Sequence, residues 1–151
     1  MRMILFRAKR KDNGEWAYGV PTKDNHGEMV IVESTFECDE YNCCGANCLY
    51  VDENTVGQYT GLTDKNRTKI FEGDIVTYED AVEDCVGYRG GVFLNCGSVE
   101  ISEWDGICFT NRQTVEMDYL YESETTVCCE VIGNIHDSPE KLKIGATAAK
   151  F

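Results

Sequence analysis

The sequence predicts a fold dominated by β-strands, all-β or β-rich α+β, and three observations carry that prediction. Apolar and polar residues alternate with period two in several windows. Turn chemistry built on Asn, Asp and Gly interrupts these windows at short intervals. Helix signals collect in one segment only, close to the end. The chain has 151 residues, 42% of them hydrophobic and only two of them proline, which suits a single folded domain over 1–151 and excludes a disordered or low-complexity chain.

The first two strands are expected in "MILFR" and "WAYGV", joined by a turn at Asn13-Gly14, a pair that tolerates the positive backbone angles of a hairpin. "EMVIVE" supplies a third strand. A polar, cysteine-rich loop, "CDEYNCCGANC" at 38–48, separates it from "LYV". "TVGQYTGL" and "TKIFEGDIVTYE" then bracket the polar "TDKNR" as the arms of a second hairpin, with Gly73 marking a bulge or tight bend. Expected core residues in this stretch are Tyr59, Leu62, Ile70, Phe71, Val76 and Tyr78, and the acidic "EDAVED" that follows reads as a solvated loop.

In "SVEISEW", Val99 and Ile101 face away from Ser98, Glu100 and Ser102. In "TVEMDYLYE", Val115, Met117, Tyr119 and Tyr121 oppose Glu116, Asp118 and Glu122. In "TVCCEVIGNIH" the inward set is Val127, Cys129, Val131 and Ile135, with Cys129 acting as a small hydrophobe. The one helix is expected over 138–145, capped by Ser138, opened by Pro139 and ended by Gly145, followed by a tail at 146–151. Such elements build an antiparallel barrel or sandwich.

The net charge of −13 is unevenly distributed. Residues 72–130 hold 14 acids against 2 bases, whereas residues 1–71 hold 11 against 9. Such a field disfavours direct binding to nucleic acid or to anionic lipid, and only Arg2, Arg7, Lys9, Arg10 and Lys11 could form a basic patch. No window approaches the roughly 18 apolar residues of a membrane-crossing helix, and the first residues do not read as a secretory signal. Residence in the cytoplasm is the expectation, with the nine cysteines reduced.

Three stretches, "ILFRAKRKDNGEWAYG", "VDENTVGQYTGLTDKNRTKIFEGDIV" and "EVIGNIHDSPEKL", resemble the YopX family of phage and prophage proteins. The resemblance implies an all-β fold with an SH3-like β-barrel and a setting in a bacterial cytoplasm; an appended N-terminal β-hairpin region and the short C-terminal helix complete the expected fold. The resemblance carries no activity with it. Arg67 departs from the pattern, standing where relatives often place glycine in the turn, and the segment from Cys38 to Cys48 looks like a local elaboration.

Chemical motifs are sparse. "GLTDKNRTK" lacks the glycine spacing of a phosphate loop, and Asp64 would repel an anion there, so the stretch reads as a hairpin. Cys38, Cys43, Cys44 and Cys48 have gaps found among zinc ligands, but the adjacent Cys43 and Cys44 can hardly both reach one tetrahedral ion, so no metal and no cofactor is expected. His26 and His136 are the only histidines available to a nucleophile. The function expected is that of a noncatalytic phage accessory protein, a binding or self-assembling module with a protein partner or a second copy of itself. A further reading is an acidic mimic of nucleic acid, docking through Glu79, Asp80, Glu83, Asp84, Glu116 and Asp118. A hydrolase using carboxylates or a cysteine is a third.

Overall fold

The computed structural model describes residues 4–33, 47–81, 92–103, 106–111, 117–119 and 129–146, of which 78–81, 92–95, 109–111, 117–119 and 143–146 are described by their backbone course alone. The chain divides into two compact units, Met1–Tyr59 and Thr60–Phe151. Both are built from antiparallel strands, and no closed barrel forms among the described residues.

In the first unit the strands are β1 (Phe6–Lys9), β2 (Trp16–Lys23), β3 (Met29–Glu33) and β4 (Asn47–Tyr50), laid side by side in the order β4-β3-β2-β1. The opening hairpin turns at Asn13-Gly14 as its sequence requires, with Gly14 at φ 72° and its N–H donated to the Arg10 carbonyl. This hairpin is no appendage. β1 pairs with β2 on one side and, on the other, with the start of β5 (Gly57–Thr63), while β2 pairs onward with β3.

One 3-10 turn, Glu53–Thr55, links β4 to β5. Asp52 caps it by accepting the N–H of Asn54, and the Thr55 hydroxyl accepts the N–H of Lys9 at 2.8 Å while donating to the Asp52 carbonyl. The turn is therefore tied to β1. Its core is Ala8, Ala17, Ile31 and Val51, with Met29, Leu49 and Val56 packed around them. Ala8 and Ala17 are directly opposite one another. At Gly19 a side chain would meet the Val32 carbonyl oxygen at 2.2 Å, so the backbones of β2 and β3 approach as only glycine permits.

β5 runs on into the second unit, where its later residues lie beside β6 (Lys69–Phe71). There follow β7 (Asp74–Ala81), β8 (Val92–Ser102), β9 (Gly106–Asn111), β10 (Met117–Tyr119) and β11 (Cys129–Asn134), in a sheet ordered β10-β9-β8-β7-β11. Leu62, Ile70, Val76, Val99 and Cys129 form the core, and Phe71 is buried as well. Of the expected core residues, Tyr59 is only half buried and the side chain of Tyr78 lies outside the described residues.

Several expectations are corrected here. β7 continues through Glu79 and Asp80 to Ala81, which pair with Leu94, Phe93 and Val92, so the first half of "EDAVED" is strand and not loop. β9, in "GICFTN", carries no clean alternation and was not foreseen. β11 shifts register between Val131 and Gly133, and this bulge ends the alternation that would have put Ile135 inside; Ile135 is exposed. Gly73, at φ 82°, makes a corner between β6 and β7. The final helix is a 3-10 helix, Pro139–Ala146, so Gly145 falls within it instead of ending it. The helix packs closely on β11: a side chain at Gly133 would lie 3.2 Å from both Lys141 Cδ and Ser138 Cβ, and the Lys141 ammonium donates to the Ile132 carbonyl.

Candidate functional site

The register of the first sheet sorts its side chains between two faces. Arg7 is opposite Tyr18 and Lys9 opposite Trp16; Val20 is opposite Val32 and Thr22 opposite Val30; Val30 and Val32 are in turn opposite Tyr50 and Cys48. Strand alternation places all of these on the side away from the Ala8–Ala17–Ile31 core, where Val30 and Arg7 are nevertheless buried. Tyr18 is 46% exposed, Val20 59% and Tyr50 50%. In a chain of 27 acids and 14 bases, these strand positions carry two bases and no carboxylate.

The two cations are held against an aromatic ring. The Arg7 guanidinium stands 4.4 Å from the Trp16 ring centre and the Lys9 ammonium 5.7 Å from it. Arg7 is only 7% exposed, so its charge sits where screening by water is reduced. A cation over an indole contributes about 0.5–2 kcal/mol, depending on desolvation. The hydrogen bond from the Lys9 N–H to Thr55 fixes the backbone beneath.

At the rim the charges are paired. Arg10 bonds Asp12 and Lys11 bonds Glu28, both pairs largely solvated. The bond from Arg10 holds the Asp12 carboxyl below its usual range. Asp24 is likewise held down, first by the N–H of Glu28 and then by that of His26. It also accepts the Tyr50 hydroxyl at 3.2 Å, which raises the Tyr50 phenol.

The sequence model described as "YopX protein" matches residues 5–143. The chain belongs to the YopX family. A solved structure, protein EF1440 from Enterococcus faecalis, is similar in fold to this YopX chain, with a TM-score of 0.54 and 21% sequence identity over 94% of this chain and 99% of that one. Among curated proteins none matches. The matched range, residues 5–143, contains every residue of the face just described.

The residues singled out beforehand fall elsewhere in this YopX-family chain. Cys48 lies exposed on β4, while Cys38, Cys43 and Cys44 lie outside the described residues. Glu79 and Asp80 are on β7 and Asp118 on β10, with their side chains outside the described residues, as are Glu83, Asp84 and Glu116 altogether. His26 and His136 are both exposed, 110 positions apart in sequence, in separate units. Among the described residues, no three of His, Cys, Asp and Glu group so that they could hold a metal ion.

The second unit's polar centre is Asp64, 1% exposed. Its carboxylate accepts the N–H groups of Asn66 and Thr68 at 2.8 Å and that of Val131 at 3.0 Å. Asp74 accepts the N–H of Phe71, and Asn134 accepts those of His136 and Asp137. These side chains bind turns of the protein itself, so the "GLTDKNRTK" stretch is architecture. This face was missed because its members come from different strands; the available signal was the alternation of Trp16, Tyr18 and Val20 next to the basic Arg7 and Lys9.

Proposed function

We propose that this YopX-family protein is a noncatalytic binding module whose working surface is the outer face of the first sheet. The observation that carries the reading is the exposure of Tyr18, Val20 and Tyr50 on a face with no carboxylate among its strand positions. Aromatic residues and arginine are the side chains most enriched at contact surfaces, because they offer large, stiff areas. A phage or prophage accessory protein working in a bacterial cytoplasm is the setting that accompanies this proposal.

The SH3-like plan belongs to the same proposal, and connectivity supports it in the first unit. Four strands run in sequence, a single 3-10 turn follows β4, and β5 returns to pair with β1. Arg10 forms a bridge with Val51, and the Lys11 N–H donates to the Tyr50 carbonyl, joining the end of β4 to the end of β1. In such a plan the hairpin of β1 and β2 is part of the barrel wall.

The test is site-directed photocrosslinking in the bacterial host. A benzophenone side chain at position 20 should give a discrete adduct that the same group at exposed Lys69 does not. Equal labelling from both positions, or none from position 20, contradicts the reading.

The second reading, an acidic mimic of nucleic acid, rests on the 14 acids against 2 bases in residues 72–130. Its measurement is salt dependence: binding to a basic nucleic-acid protein should weaken steeply between low and high ionic strength, and a flat response excludes it.

A further inference from the structure

We infer that Asn13 is a site of self-modification, at which the Gly14 nitrogen closes on the Asn13 side-chain amide and expels ammonia, and that the folded turn restrains this reaction through Glu15. The inference is independent of the binding-module reading above.

Asn13-Gly14 is the one Asn-Gly pair in the sequence. Glycine has no side chain to obstruct the approach of its nitrogen to the preceding Cγ, and a Cβ at Gly14 would meet nothing within 4 Å, so the surroundings leave room for ring closure. Both residues are exposed, and water and base reach them. The chain and water together balance the reaction. The Gly14 nitrogen gives its proton to solvent and bonds to Asn13 Cγ; the bond from Cγ to Nδ2 breaks, and ammonia leaves with a proton taken from water. A second water then opens the cyclic imide, giving either aspartate or its isomer joined to Gly14 through the side chain.

In the folded turn both reacting groups are held. The Gly14 N–H donates to the Arg10 carbonyl at 3.0 Å, which directs the nitrogen into the hairpin. The Asn13 Oδ1 accepts the Glu15 N–H at 3.0 Å, and Asn13 Nδ2 donates to Glu15 Oε2 at 2.8 Å. Closure requires the nitrogen to leave Arg10 and the amide to turn away from both contacts with Glu15. The hairpin end is itself tied to β4 by the bridge of Arg10 with Val51 and by the Lys11 N–H on the Tyr50 carbonyl. Modification therefore accumulates with the time the turn spends open.

The experiment holds the full chain at mildly alkaline pH, native or in urea, and follows the peptide carrying Asn13 by mass spectrometry, with fragmentation to assign the site. The chain in urea should convert about tenfold or more faster than the native chain, because the folded contacts are gone. Under native conditions Glu15→Ala should convert about threefold or more faster than wild type, whereas Glu15→Gln, whose side-chain oxygen can still accept from Nδ2, should stay near the wild-type rate. Glu15 is exposed, so both variants should keep the wild-type unfolding midpoint. A native chain that converts as fast as the unfolded one, or an Asn13 that stays unchanged in urea, overturns the proposal. Equal rates for Glu15→Ala and wild type, or for Glu15→Ala and Glu15→Gln, overturn the restraint assigned to Glu15.

Discussion

The Asp64 carboxylate accepts the backbone N–H of Val131 at 3.0 Å, across 67 positions of sequence. The adjacent Lys65 N–H donates to the Cys129 carbonyl, and the Lys65 ammonium pairs with Glu130. Thus the turn between β5 and β6 is pinned along β11, an edge strand of the second sheet. A turn that might have cradled a ligand instead covers a row of backbone groups that would otherwise lack partners.

Asp64→Ala should therefore destabilise the protein by about 3 kcal/mol, because three N–H groups lose a charged acceptor in a buried setting. Urea unfolding followed by circular dichroism measures it. A loss below about 0.5 kcal/mol would mean that water replaces the carboxylate at no cost.

Arg67 has φ 65° in the same turn, a left-handed conformation that costs a residue with a side chain about 1 kcal/mol. Arg67→Gly should stabilise the protein by up to about 1 kcal/mol, after the entropy of the unfolded glycine is subtracted. Arg67→Val should destabilise it, since a β-branched residue resists that geometry more strongly. Equal midpoints for the wild type and both variants would contradict the strain.

How much of this was legible in the sequence varies with the range of the interaction involved. The hairpin at Asn13-Gly14, the corner at Gly73 and the buried Leu62, Ile70 and Val76 follow from local turn chemistry and alternation. The departure at Arg67 from the expected glycine pointed to the one described non-glycine residue with positive φ. The partnership of Asp64 with Val131 was not legible, because pattern within a window says nothing about which distant strand a turn will meet. Nor was the bulge at Val131–Gly133, which moved Ile135 to the surface. The candidate site was hidden for the same reason: Arg7, Trp16, Val20 and Tyr50 become neighbours on one face only once β1 to β4 are in register.

Gly19→Ala should destabilise the first unit by about 2 kcal/mol or more, since the new methyl group would collide with the Val32 carbonyl, a backbone atom that cannot swing aside. The same change at Gly14 meets no neighbour and is penalised by φ 72° alone, about 1 kcal/mol. Unfolding midpoints of the two variants should fall in that order, and the reverse order would refute the close approach of β2 and β3.

Among the four described cysteines, Cys48 should react with a thiol reagent in the native state while Cys96, Cys108 and Cys129 react only on unfolding. Burial pushes the Cys96 thiol up from its ordinary value of 9.0. A raised folded value means that its contribution to stability is complete below the unfolded pKa and is lost as pH rises toward the folded one, so alkaline solution should speed exposure of Cys96. Mass spectrometry after brief alkylation at neutral and alkaline pH distinguishes the sites. Modification of Cys96 as fast as Cys48 at neutral pH would contradict the buried position.

Acid should loosen the turn at residues 24–28. Asp24 has a lowered folded pKa, so the turn's support is present above the ordinary carboxyl value of 3.8 and is lost as pH falls below it through the folded value. The Glu28 amide signal in an NMR titration should report that midpoint below 3.8, and a midpoint at or above it would contradict the hydrogen bond.

The most direct measurement of the central claim is an NMR titration of the isotopically labelled full chain with the purified protein that photocrosslinking from position 20 captures, read amide by amide. Saturable shifts confined to β1–β4, largest near Arg7, Tyr18 and Val20 and absent in Val20→Glu, are the predicted result. Shifts that instead collect on β7–β11, or that spread without saturation over both units, would contradict it.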